Sequence, residues 1–271
     1  MRQVLAFLIG LMALLPAPGH AADAVRLHAA GSLRAALTEA AHAFEAAGGP
    51  PVASEFGASG LLRDAIVAGA GAEIFASANM DHPRSLAAAG RGSPVVLFAR
   101  NQLCALVRPG LTVTGATLVD RMLDPGIRLA TSTPRADPSG DYAQEVFRRI
   151  DVARPGSFAA LDDKALRLTG GPASPRPPTG RSVYGAIIER GEADLFLTYC
   201  TNARVAALEV AGAGVIDLPE AVAVGADYGL TVINGASEGA YRLALFILSP
   251  EGQNILARHG FAAPTLPRGG G

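Results

Sequence analysis

A chain of 271 residues with a net charge of -1 and one lysine, Lys164, has no basic footprint for nucleic acid and no polybasic patch for a membrane surface. Whatever it binds is recognised locally. Once an N-terminal leader is set aside, about 250 residues remain, enough to bury the core of one large domain or two modest ones.

The leader is residues 1–21: Arg2, the apolar block 4–15, then Pro16, Pro18 and Gly19-His20-Ala21. These are the charged, apolar and small-residue regions of a secretory signal peptide. The block is shorter than the ~20 apolar residues a bilayer-spanning helix needs. No stop-transfer pattern and no lipid-anchor cysteine follows, so a free, soluble, exported chain is expected. In chain order, residues 24–30 read as a strand, and Ser32 precedes a helical stripe of Leu33, Leu37, Ala40, Ala41 and Phe44. Gly48-Gly49-Pro50-Pro51 stops that helix. Residues 52–56 alternate as a strand; Ser59 then opens a second helix through Leu61, Leu62, Ile66 and Val67, and residues 74–78 form another apolar strand. Strand, helix, strand, helix, strand implies a parallel sheet with helices on its faces. The middle repeats the style, with strands at 103–107 and 128–131 and a helix opening near Ser139 that carries Tyr142, Val146 and Phe147. Residues 170–180, with four prolines, form a loop. A helix at 182–190, strands at 195–199 and 228–233, and helices at 241–248 and 250–259 complete the pattern.

Ser32, Ser59 and Ser139 each stand at a helix start following a strand. Helix N-termini present unpaired N–H groups and a partial positive charge, so they attract anions without a charged side chain. The competing account is that serine is simply a favoured N-cap. Gly31, Gly57, Gly60 and Gly140 allow close approach of backbone to a ligand. Enzyme motifs are wanting: Gly57-Ala58-Ser59-Gly60 places its second glycine one position too early for a nucleophile elbow. Asp162 and Asp163 read as a solvated surface. His28, His42, His82 and His259 are scattered without metal-ligand spacing, so no bare metal site and no cofactor is expected. Cys104 and Cys200 enter an oxidising compartment, where they either cross-link or stay as two separate buried thiols.

Ala29-Ala30-Gly31-Ser32-Leu33, Phe56-Gly57-Ala58-Ser59-Gly60, residues 71–78, residues 189–194, and Ser249-Pro250-Glu251-Gly252 before His259-Gly260-Phe261 together resemble, in order, the periplasmic molybdate-binding proteins. The resemblance implies a two-lobed type II periplasmic binding protein of the α/β class, each lobe a mainly parallel sheet flanked by helices. Lobe 1 would be residues 22–100 plus 219–271 and lobe 2 residues 101–218, with the ligand in the cleft. It further implies a periplasmic monomer, no enzyme, that captures molybdate or tungstate for the permease of an ABC importer. The oxyanion would be held by Ser32, Ser59, the backbone of Ser139 and of Arg181, and the Tyr199 hydroxyl. A site of donors alone suits a fully deprotonated anion, which offers only acceptors. Asp141 and Arg181, a carboxylate and a cation beside that site, depart from the family pattern, as does Tyr199-Cys200-Thr201-Asn202. Sulfate, an organic anion reached by Arg181, or an exported hydrolase using Ser59 are the alternatives. A Cys104–Cys200 disulfide is expected because both fall in strand-like segments of the second lobe. Export should leave Ala22 as the new N-terminus; the intact mass of the exported protein checks this, and a mass retaining the apolar block contradicts it.

Overall fold

The computed structural model describes residues 23–175 and 180–264. The expected leader, its cleavage site, and Pro177 and Pro178 of the Pro/Gly loop lie outside those residues.

The chain opens with β1 (Val25–Ala30), a 3-10 turn over Gly31–Leu33, α1 (Arg34–Ala46), β2 (Val52–Gly57), α2 (Ser59–Val67), β3 (Ile74–Ser77) and α3 (Asp81–Ala88). Strand β1 pairs parallel with β2 on one side and β3 on the other. Covered on both faces, it reads as a nearly continuous apolar run. The α1 stripe behaves as its 3.6-residue spacing requires: Leu33, Leu37 and Phe44 are at most 4% exposed, each stabilising by about 1.5–3 kcal/mol through burial.

The long β4 (Val96–Val107) then leaves this lobe for the second, built from α4 (Leu118–Leu123), β5 (Leu129–Ser132), α5 (Pro138–Ala153), α6 (Ser157–Lys164), β6 (Leu166–Thr169), α7 (Val183–Glu189), β7 (Leu195–Tyr199), α8 (Cys200–Glu209) and β8 (Gly214–Asp217). Strand β9 (Gly225–Val232) returns, and α9 (Glu238–Leu248) and α10 (Pro250–Arg258) finish the first lobe. The strand order is β2-β1-β3-β9-β4-β7-β5-β6, with β8 beside β4. Thus β4 belongs to two sheets: Val96 to Gln102 pair antiparallel with β9, and Leu103 to Val107 with β7 and β8. The expected two-lobed α/β architecture is present, with a parallel core in each lobe and antiparallel strands crossing between them. One core gathers Leu27, Leu37, Phe98, Leu243 and Ile247; another gathers Leu103, Leu129, Val146, Phe147, Leu197, Leu218 and Val224. Tyr142 packs against both. No helix among the described residues is long and apolar enough to cross a membrane.

Two covalent and ionic ties hold the second lobe. Cys104 and Cys200 form a disulfide, 96 residues apart in sequence, fastening β4 to the start of α8. Closing so long a loop stabilises by about 4 kcal/mol in the chain-entropy model. Asp194, 4% exposed, accepts from Arg108 Nε at 2.7 Å, Arg128 Nη2 at 2.8 Å and the Arg128 backbone N–H at 2.8 Å. The Arg128 hydrogen bonds hold its carboxyl well below the usual carboxylate range.

The lobes touch where the Gly60 N–H donates to the Ala136 carbonyl at 2.9 Å. The touching loop contains Arg135, the one non-glycine with positive φ (67°) among the described residues. Its N–H is held at 2.7 Å by the Asp141 carboxylate, an anchor that offsets the roughly 1–2 kcal/mol such a left-handed residue costs. A Cβ at Gly60 would lie 2.5 Å from the Arg135 carbonyl oxygen and 2.7 Å from that of Ala136. Gly60→Ala should therefore fold but hold its lobes apart, giving a larger radius of gyration by small-angle X-ray scattering than the parent; identical scattering would contradict this contact as the closing one.

Candidate functional site

The three serines at helix starts do not cap their helices. Ser32 lies inside the 3-10 turn rather than before the helix, and neither that turn nor α1 has a side-chain cap. Ser59 is the first residue of α2, whose N-cap Ala58 supplies no side chain. Ser139 is the second helical residue of α5, and its N–H is taken by the Asp137 carboxylate at 3.0 Å. Elsewhere serine does cap, as Ser182, Ser237 and Ser249 do for α7, α9 and α10. The capping account therefore leaves Ser32, Ser59 and Ser139 unexplained.

The hydroxyls of Ser32 and Ser59 lead to a cluster of phenols. Ser32 Oγ lies 2.9 Å from the Tyr228 hydroxyl, which also accepts from Asn101 Nδ2 at 3.4 Å. Either hydroxyl can donate in the Ser32–Tyr228 pair; where Tyr228 donates, the Ser32 hydrogen is left for another acceptor. Ser59, 1% exposed, accepts from the Ala78 N–H at 3.1 Å, so its own hydrogen is also uncommitted. Tyr142 reaches the Ala78 carbonyl at 3.4 Å from the other lobe. The rings of Tyr142, Tyr199 and Tyr228 run in sequence, with centroids 6.3 Å and 5.6 Å apart. Burial raises all three phenols above their ordinary pKa, so they stay protonated as donors.

Two buried hydroxyls here have no hydrogen-bond partner among the described residues. Ser139 Oγ and Tyr199 OH are buried without a hydrogen bond, in residues 0% and 2% exposed. An unmet buried hydroxyl costs about 1–3 kcal/mol, and native interiors satisfy most such groups. The remaining unmet atoms, His28 Nδ1 and His82 Nε2, belong to β1 and α3.

Of the five residues expected at the site, Ser32, Ser59 and Tyr199 are linked through Tyr228, Ala78 and Tyr142, while Ser139 meets Asp137 through its backbone N–H. Arg181 stands apart: its exposed guanidinium pairs with Glu189 at 2.9 Å and Glu209 at 3.8 Å, so it brings no side-chain cation to the cluster. Asp141 is also redirected, to the Arg135 N–H. The acid that does face the cluster is Asp137, which sequence reasoning passed over because Asp before Pro138 is an ordinary helix opening. Tyr228 and Asn101, on the crossing strands, were passed over too; neither carries a sequence signal beyond lying in a strand. Behind the cluster, at the carboxyl ends of β5, β6 and β7, Ser132 Oγ meets Thr169 Oγ1 at 2.8 Å and Asn202 donates to Thr198 at 3.2 Å. That edge of parallel strands is where α/β sheets bind ligands.

The chemistry available is donation by neutral groups. Cys104, Cys200 and Asp217 lie close enough for a cation, but both sulfurs are spent in the disulfide. A cavity of about 410 Å³ is lined by Arg100, Asn101, Gln102, Cys200, Arg204, Gly260 and Ala262, with none of the three serines in its wall.

The chain is 28% identical over 253 residues to the molybdate-binding protein ModA of Escherichia coli, covering 88% of each. It superposes on the periplasmic molybdate-binding protein of Azotobacter vinelandii with a TM-score of 0.72 at 19% identity, covering 89% of this chain and all (100%) of that one. The sulfate-binding protein SubI of Mycobacterium tuberculosis superposes equally well, with a TM-score of 0.72 at 18% identity over 89% of this chain and 86% of its own. These are binding proteins and not enzymes, and they share the type II fold. A family model matches residues 25–262, and the chain belongs to that family, the bacterial extracellular solute-binding proteins.

Proposed function

We propose that this protein captures a tetrahedral oxyanion, molybdate or tungstate, in the periplasm and hands it to the permease of an ABC importer, acting as a monomer. The observation that carries the reading is the pair of unmet hydroxyls, Ser139 Oγ and Tyr199 OH, together with the uncommitted Ser59 hydrogen and the Ser32 hydroxyl that shares Tyr228. Four neutral donors from both lobes suit a four-oxygen anion that carries no proton. The two separate apolar cores support lobe boundaries near Arg100 and, on the return, between Leu218 and Gly225. Of the backbone donors expected, the Ser139 N–H enters only when Asp137 releases it, and the Arg181 N–H remains a proposal without side-chain support.

Selectivity follows from fixed geometry. A smaller anion such as sulfate leaves some donors poorly paired, at roughly 1–3 kcal/mol each. The likeness to a sulfate-binding protein makes sulfate the second reading, and one experiment separates them. With anion at a thousandfold excess over its dissociation constant, stabilisation is about 4 kcal/mol, which for this size raises melting by on the order of 10 °C. Molybdate and tungstate should give that shift, and sulfate and phosphate little. Tyr199→Phe should lose most of the shift while leaving the anion-free protein at least as stable, because it removes a buried hydroxyl that has no partner. Ser59→Ala should also shrink the shift, and Arg181→Ala should preserve it. Unchanged melting with all four anions contradicts the oxyanion reading; a large shift with sulfate alone replaces molybdate by sulfate.

A further inference from the structure

The second lobe presents its donors around a carboxylate that already sits in an anion's place. Asp137 Oδ1 accepts the Ser139 N–H at 3.0 Å, the helix-start donor that an anion in the cleft would use. The Ser132 hydroxyl lies near the same carboxylate and favours its ionised form. Gly170, with φ +74°, lies so close that a Cβ there would stand 2.4 Å from Asp137 Oδ2. The carboxylate is therefore seated and confined, and the next donor along, Ser139 Oγ, is left empty.

We propose that Asp137 is a specificity-determining residue of the oxyanion site: an internal anion that holds the α5 N–H and yields it only on gaining a proton. This rests on the oxyanion reading above. Two unit negative charges sharing one desolvated site repel strongly, and a dianion adds two beside the one on Asp137. The groups facing Asp137 offer no relief. Asp141, on its own helix, is a second acid; Tyr184 on α7, Tyr199 ending β7 and Tyr228 on β9 are buried neutral phenols that feel its charge. Burial, opposed by the Ser139 and Ser132 hydrogen bonds and reinforced by Asp141, pushes the Asp137 carboxyl up to about 6. A proton drawn from solvent converts it to a neutral acid that frees the Ser139 N–H and adds an O–H donor. An anion carrying a proton of its own would instead donate to the ionised carboxylate.

The sign follows from linkage. Dianion binding raises the Asp137 pKa further, so binding takes up a proton wherever Asp137 is ionised in the free protein, and affinity falls as pH rises. Molybdate stays doubly charged across this range, so the titrating group belongs to the protein. Calorimetric titration of the exported protein with sodium molybdate at pH 5.5, 7 and 8, in buffers of differing ionisation enthalpy, tests it. Above about pH 6, affinity should drop roughly tenfold per pH unit, with close to one proton taken up per anion at pH 8. Asp137→Asn, which like the protonated acid is neutral and holds the Ser139 N–H less strongly than a carboxylate does, should bind molybdate with no pH dependence and more tightly at pH 8 than the parent. Asp137→Ser serves the same comparison should the asparagine variant misfold. Parent affinity that is flat across the range without proton uptake overturns the proposal while leaving the oxyanion reading intact, and so does weaker binding by Asp137→Asn at pH 8. Absence of molybdate binding at every pH overturns both.

Discussion

The structure turns on a shortage of acceptors at the seam between two lobes. Ser32 meets Tyr228, Ser59 accepts from the Ala78 N–H, and the buried hydroxyls of Ser139 and Tyr199 have no hydrogen-bond partner among the described residues. A fold that tolerates a loss of about 1–3 kcal/mol per group does so where the missing partner arrives from outside. The scaffold explains how those groups come together. Parallel strands deliver helix starts to one edge of each sheet, and the antiparallel strands β4 and β9 set the two edges face to face. Tyr228 stands on one of these crossing strands and Asn101 on the other, so the groups that orient Ser32 belong to the elements about which the lobes would move.

Neutrality is the second constraint. Two arginines are engaged with partners of their own: Arg181 with Glu189 and Glu209, and Arg34 over the Phe56 ring. An anion held by hydroxyls and N–H groups is recognised by donor count and radius, which discriminate sharply between anions of different protonation and size. A charged clamp would bind many anions and tell few apart. Asp137 sharpens this further, since a carboxylate among donors makes the site sensitive to the charge that enters it.

Much of the fold is legible in the sequence because its periodicity is strong. The Leu33, Leu37 and Phe44 stripe and the alternation at residues 52–56 lead directly to α1 and β2. Helix α3 is hidden by its composition: it opens with Asp81-His82-Pro83-Arg84 and over its whole length buries only Pro83 and Leu86. Helix α8 is hidden by its junction, since Tyr199 both ends β7 and caps the helix, with no turn residue between. Its small buried face, Ala203 and Ala206, carries little pattern. The site is legible as serines at helix starts, yet their meaning is not, because the same residue type caps helices as readily as it binds anions. What separates the two is geometric: Ser182, Ser237 and Ser249 accept from their own helices, while Ser32, Ser59 and Ser139 do not. Asp137 shows the reverse, a true cap whose surroundings give it a second role.

The most direct measurement of the central claim is a crystal structure of the exported protein grown with sodium tungstate, located by the anomalous scattering of tungsten. The account predicts one strong peak at the seam between the lobes, its oxygens within hydrogen-bond distance of the Ser32, Ser59, Ser139 and Tyr199 hydroxyls. A peak in the Arg100 and Arg204 cavity or against Arg181, or a seam without tungsten at saturating concentration, would contradict it.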